Sequence, residues 1–271
     1  MGFQLVDKTA SFPNDLGNVN LSETFIKTAS ITDEKFKTAY RNFYTSFKKA
    51  GFFQKFAVAR LAGAGAVADS LNLVNPVLGP AAYQATFVND KPEYHTSAGW
   101  TPNKAAGSYA RSNFLMKGDL TNFHMHVWNT GPEDSTTTEN RFLLSAQSTQ
   151  NFYVALQRND QNRTRAAIGS YSSINYMTTN AIPVTRLGLL SASRNGSVGK
   201  MYDAGVAIVN STITDTPVLS GTVEMLEGSI GSSANISSAT FRFWGYGFSS
   251  WSDTDEITLR DMIAAFNAAI A

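Results

Sequence analysis

The sequence predicts a mostly β protein: an antiparallel sandwich with a helical segment before it and a helix at its C-terminal end. Three observations carry that expectation. From Tyr83 onward, apolar residues alternate with other residues at a period of two, as on half-buried strands. Turn-rich stretches such as Arg194-Asn-Gly196 separate the alternating segments, and no helical pattern intervenes, which favours antiparallel pairing over βαβ units. The last such segment, the aromatic run Thr240-Phe-Arg-Phe-Trp-Gly-Tyr-Gly-Phe248, leads into a helical stretch over 253–270.

Taken in order, residues 1–30 mix polar and apolar positions without period, and Phe12-Pro-Asn-Asp-Leu-Gly17 has turn chemistry. They predict an extended arm, too thin in apolar residues to order without an outside surface, and hence an attachment device. Residues 31–80 predict a helical collar. Thr32-Asp-Glu opens its first helix, which carries Phe36, Tyr40, Phe43 and Phe47 on one face. A second helix is expected from about Phe52 to Leu61, and a short third from about Val67 to Leu73, stopped at Asn75-Pro76. Residues 81–271 form the expected sandwich, with alternating pairs at Ala85/Phe87, Phe123/Met125/Val127, Phe152/Val154/Leu156, Ala166/Ile168, Leu187/Leu189, Val206/Ile208, Val223/Met225 and Phe241/Phe243. The closing helix starts on a capping-box pattern, Ser252-x-x-Asp255, and sets Leu259, Met262, Ile263, Phe266 and Ile270 on one stripe that must dock on a sheet.

Composition excludes several functional classes. Lysine plus arginine number 22 against 21 acidic residues, so no whole-chain field draws nucleic acid. There is no cysteine, which removes disulfides, thiolate metal sites and cysteine nucleophiles. No apolar run approaches the roughly 20 residues that span a bilayer, and Met1-Gly-Phe-Gln-Leu-Val lacks a signal pattern, so a soluble product of the cytosol without membrane insertion is expected. Gly63-Ala-Gly-Ala-Val-Ala is neither a Walker loop nor a Rossmann fingerprint, and no Gly-x-Ser-x-Gly elbow occurs, so no cofactor is expected.

Two strand faces stand out as carbohydrate-binding candidates. His124, His126 and Trp128 fall on one side of a strand, and Arg242, Trp244 and Tyr246 on one side of the last strand. An aromatic plate beside polar donors suits a pyranose ring. Two histidines at this spacing also suit a metal, but a third ligand would have to come from His95 or a distant carboxylate, and no metal is expected. A glycosidase needs two convergent carboxylates. The nearest pair, Glu224-x-x-Glu227, points to opposite faces of a regular strand and would meet only across a bulge, so no catalytic residue and no enzymatic activity are expected.

The stretches Ala50-Gly-Phe-Phe-Gln-Lys-Phe56, Ala68-Asp-Ser-Leu-Asn-Leu-Val-Asn-Pro76, His95-Thr-Ser-Ala-Gly-Trp-Thr-Pro102, Arg186-Leu-Gly-Leu-Leu-Ser-Ala-Ser-Arg194 and Gly221-Thr-Val-Glu-Met-Leu-Glu-Gly228 resemble a module of tailed-bacteriophage structural proteins. The resemblance covers roughly residues 33 to 271. It implies a concanavalin-like or laminin-G-like jelly roll in a virion, as a tail fibre, head fibre or capsid decoration. Its implied partners are other virion proteins, reached through the N-terminal arm, further copies of the chain, with a trimer favoured by analogy, and a host-surface glycan. The functional expectation is therefore a non-enzymatic virion structural protein, with a depolymerase acting on host surface polysaccharide as the alternative.

Overall fold

The computed structural model describes residues 20–132, 141–147, 152–158, 164–169, 176–179, 186–214, 218–229 and 235–271. Two antiparallel sheets face each other. The first runs β13 (Val206–Thr212), β12 (Val198–Asp203), β11 (Gly188–Asn195), β6 (Asn122–Gly131), β15 (Thr240–Gly247), β4 (Gly99–Trp100) and β3 (His95–Thr96), and β1 (Val58–Leu61) also pairs with β15. The second runs β10 (Tyr176–Thr179), β9 (Thr164–Ile168), β8 (Phe152–Arg158), β7 (Arg141–Gln147), β14 (Val218–Glu227), β5 (Tyr109–Asp119) and β2 (Thr86–Val88). The mostly β antiparallel architecture expected from the period-two pattern is the one observed.

A third, helical layer covers the outer face of the first sheet. It contains α1 (Leu21–Thr28), α2 (Glu34–Lys49) and α4 (Asp253–Ile270), with the short α3 (Ala66–Ser70) beside β1. The first sheet therefore lies between two cores. One core, between the sheets, holds Trp100, Phe114, Met125, Val127, Phe241, Trp244 and Tyr246. The other, under the helices, holds Phe25, Tyr40, Phe43, Phe47, Phe56, Phe243, Trp251, Leu259, Ile263 and Phe266.

Three expectations in the N-terminal region change. Residues 1–19 of the expected arm lie outside the described residues, but 20–30 are not extended. Asn20 caps α1 with its side chain, and Phe25 and Ile26 are buried, with Phe25 against Tyr40 and Tyr44. The helix expected over 52–61 is a single 3-10 turn at Phe52–Gln54 followed by β1. Gly51, at φ 73°, ends α2 in the left-handed conformation, and β1 is buried on both faces, which erases the alternation that marks a half-exposed strand. Because β1 pairs with β15 from Val58↔Tyr246 to Leu61↔Phe243, the collar and the sandwich do not divide at residue 80.

The closing helix behaves as its pattern requires. Ser252 accepts from the Asp255 backbone while Asp255 accepts from the Ser252 backbone, completing the capping box. Leu259, Ile263 and Phe266 are buried, and Met262 and Ile270 are half-buried against the same core. The ring of Phe266 meets Phe43 and Tyr40 edge-on. Among the described residues, no helix is long and apolar enough to cross a membrane. Truncating Phe266 to alanine removes a ring shared by α2, α4 and the sheet. It should cost about 3 to 5 kcal/mol of unfolding free energy in a denaturant titration, and a loss near zero would show that α4 is not fastened by its stripe.

Candidate functional site

The six candidate sugar-binding residues do not share a surface. His124 and His126 on β6 do face the same side, but α4 and the 249–252 turn cover them completely. His124 Nδ1 lies 2.8 Å from His126 Nε2, and His124 Nε2 lies 3.0 Å from the Lys55 carbonyl and 3.2 Å from Ser249 Oγ. On the far side, His126 Nδ1 meets Ser191 Oγ at 2.8 Å and Glu256 Oε2 at 3.2 Å, and the Trp251 indole N–H donates to the same carboxylate oxygen at 2.8 Å. A carbonyl only accepts, so His124 Nε2 carries its proton and Nδ1 accepts from His126 Nε2–H. The two rings form an internal fastening for α4, not a sugar plate, and Ser249 has no free imidazole nitrogen to activate it.

The second predicted face is split by a β-bulge. Phe241 is opposite Asn129 and Phe243 is opposite Trp128, so Arg242 is the extra residue and the alternation reverses across it. Trp244 and Tyr246 consequently point into the core between the sheets, fully buried, and Phe241 and Phe243 end on opposite sides of the sheet. Tyr246 donates to Glu227 at 3.2 Å, and Glu227 pairs with Arg60 at 3.0 Å, all inside that core. Arg60 also donates to the Ser70 and Tyr83 carbonyls. Glu224 lies on the other face of β14, bound by Arg111 and the Asn113 backbone. The two carboxylates do not converge.

Arg242 and Trp128 do come together, in an open cleft of about 590 Å³ on the helix-covered side of the first sheet. Ser97 from the β3–β4 turn, Leu187 before β11, and Asn267 and Ile270 from α4 complete its wall with them. β15 changes partner here, pairing with β4 at Phe241 and with β1 from Phe243 onward. The bulged Arg242 bridges that junction, donating through Nη1 to the Ala62 carbonyl and through Nη2 to the Ser97 carbonyl, both at 2.6 Å. Its guanidinium lies 5.9 Å from the centre of the Phe266 ring. Gly63, at φ 126°, has to be glycine, because a Cβ there would overlap Arg242 Nη1. Two buried polar atoms on residues lining this cleft find no protein partner, Arg242 Nε and Asn267 Oδ1; Asn129, opposite Phe241, turns its side chain to the intersheet core. Buried polar groups are almost always satisfied, so these two atoms make the cleft the candidate site among the described residues.

Sequence reasoning did not find Asn267, although the signal was present. It is a polar residue four after Ile263 and three before Ile270, inside the apolar stripe.

No family model matches the chain, and no curated protein matches it. Solved structures do. A Trypanosoma rangeli sialidase in complex with 2,3-difluorosialic acid is similar over 84% of this chain and 39% of its own, at 12% identity and a TM-score of 0.55. The same enzyme in complex with sialic acid is similar over 82% and 39%, at 13% identity and a TM-score of 0.54. A carbohydrate-binding module of a Ruminococcus gnavus sialidase, bound to α2,3-sialyllactose, covers 52% of this chain at 11% identity and a TM-score of 0.41, too low to bear on the fold. The chain thus spans about two fifths of the length of the sialidases it matches, and the likeness is one of fold. It corrects the expectation of a protein without enzymatic activity. Sialidases are among the structures that share the fold, so the fold gives no ground for excluding an enzyme. Nothing in these likenesses bears on a virion or an assembly partner.

A second buried cluster stands next to the cleft. His95 is held between two carboxylates, Asp69 at 2.8 Å from Nδ1 and Asp90 at 2.8 Å from Nε2, and Asp69 also accepts from the Gly63 backbone. The third histidine therefore sits apart from the other two. Burial lowers the proton affinity of His95, but hydrogen bonding and charge from Asp69 and then Asp90 outweigh it, and its pKa is raised. Burial, and after it the neighbouring His126, holds the pKa of His124 well below the ordinary imidazole value.

The two histidines give stability opposite pH dependence. An unfolded histidine takes its proton near pH 6.5, by about that reference value. Below it the unfolded chain gains a proton that buried His124 refuses, so the His124 contribution is present above that pH and lost as pH falls. The His95 contribution is present below it and lost as pH rises through its folded value. Unfolding free energies measured between about pH 5 and 8 should fall on the acid side by up to about 1.4 kcal/mol per pH unit. His124→Gln should flatten that acid limb and His95→Gln the alkaline one. An acid limb unchanged in His124→Gln would contradict the assignment.

Proposed function

We propose that this chain is a glycan-contacting β-sandwich and that the cleft beside Trp128 holds a sugar ring. The observation that carries the reading is the unpaired Arg242 Nε–H donor and Asn267 Oδ1 acceptor beside a half-buried tryptophan. A pyranose offers apolar ring faces and a rim of hydroxyls, and these groups complement both. The volume lies within the range of about 300 to 1,000 Å³ usual for small-ligand sites. The fold likeness to proteins solved with sialic acid supports the same direction.

The virion setting is part of this proposal and rests on the resemblance of residues 33 to 271 to tailed-phage structural modules. On that reading the sandwich is a fibre or decoration component assembled from copies of itself. The segment before residue 20 docks on other virion proteins, and the cleft meets the host-surface glycan.

A glycan array on the full chain, followed by titration of any hit with tryptophan fluorescence, tests the cleft. Trp128→Ala should weaken the hit roughly tenfold, equivalent to about 1.4 kcal/mol of lost ring contact. Glycan binding that Trp128→Ala leaves unchanged would place the sugar elsewhere on the surface.

A further inference from the structure

Arg242 is 4% exposed and has no carboxylate hydrogen-bonded to it. Its two protein partners are carbonyl oxygens, which leaves Nε–H unpaired together with the second hydrogens of both terminal nitrogens. Asp69, the carboxylate whose charge acts on Arg242, is engaged by His95. Tyr40 and Asp69 favour the charged guanidinium, but burial opposes it more strongly, and its pKa is lowered from its ordinary value. Buried guanidinium groups are ordinarily matched by an anion. None of the described residues lining the cleft carries a carboxylate side chain.

The negative end of α4 also reaches the cleft through Asn267, Ile270 and Ala271. A helix end amounts to about half an elementary charge. Lys35, on α2, donates to the Ala271 carbonyl at 2.7 Å and offsets it.

We infer that the cleft selects an anionic sugar, one whose carboxylate or sulfate ester sits on the free edge of the Arg242 guanidinium while its ring lies against Trp128. This rests on the reading of the cleft as a sugar site and narrows it to a ligand class. A planar guanidinium with adjacent free N–H groups suits a two-oxygen acceptor, and such charge-assisted bonds are about twice as strong as neutral ones.

The test uses the full-length chain and three ligand pools, with Trp128-dependent fluorescence as readout. They are a mixed pool of uronic-acid oligosaccharides, the same pool after reduction of its carboxyl groups, and the reduced pool after sulfation. The uronic-acid or the sulfated pool should bind at least about tenfold more tightly than the reduced pool, with the advantage shrinking as salt rises, and the pool that wins identifies the anion. Arg242→Gln, checked for an unchanged melting transition, should abolish the advantage while keeping the weaker neutral binding. If that variant does not fold, the comparison of pools on the unaltered chain still decides. Equal binding of all three pools would leave the sugar site standing and overturn its anion selectivity. Binding of none, with fluorescence unmoved, would overturn the sugar site and this inference with it. Inorganic sulfate binding as tightly as the sulfated pool would show an anion pocket without a sugar subsite and would also overturn the inference.

Discussion

The constraint on which this molecule depends is that β15 has no solvent face. It pairs with β6 along one edge and with β4 and then β1 along the other, with a core above and a core below. A regular strand buried this way would send its aromatic residues alternately into the two cores. The bulge at Arg242 changes that, sending Phe241, Trp244 and Tyr246 to the intersheet core and leaving the other side to Phe243, Gly245 and Gly247. The two glycines are steric requirements. A Cβ at Gly245 would lie 2.8 Å from the Val58 carbonyl and 2.9 Å from the Phe56 ring, and one at Gly247 would overlap the Lys55 carbonyl. The segment 55–58 can therefore lie directly on β15, which seats Phe56 against His124, His126 and Trp251.

Covering both faces of one sheet traps polar groups, and the fold handles them by pairing. Arg60 enters the intersheet core from β1 and meets Glu227 from β14, with Tyr246 as third member. Such a pair adds little net stability over an apolar equivalent, whereas removing one partner typically costs about 3 to 5 kcal/mol. What the pair does supply is register. β1 is buried on both sides, so apolar packing discriminates poorly between its true pairing and a slip by one residue. Only one register brings the Arg60 donors to Glu227 and to the carbonyls of Ser70 and Tyr83.

The sequence made both ends of α4 legible, because one face of that helix is wet and its period survives, and it marked β2, β8, β9 and β14 of the second sheet through their alternating pairs. The Ser252–Asp255 box and the Leu259–Ile263–Phe266 stripe appear where they were expected. β5 was missed because Ser112 faces inward, Leu115 faces outward and Asn113 takes φ 57°, which together blur its alternation. β1 was read as helix because Phe53, Phe56 and Leu61 happen to fall near helical spacing and a strand buried on both faces has no period of its own. Two of six site residues, Trp128 and Arg242, reached a common cleft. The other four failed for two physical reasons: a bulge that no residue pattern announces, and a helix that covers a face the strand pattern could only call polar.

The bulge also explains why the cleft lies where it does. A strand that changes partner part-way along one edge leaves a gap in the ladder, and some polar group must span it. Arg242 spans it to Ala62 and Ser97, but two carbonyls cannot use all five N–H groups of a guanidinium. The unused donors remain at the seam between β15, the β3–β4 turn and the end of α4, with the half-buried Trp128 beside them on β6. The irregularity that lets one strand serve two cores thus leaves unpaired donors at the cleft as a by-product. The cleft thus follows from this chain's own bulge, and a fold likeness at 12% identity speaks for the sheets and not for the cleft.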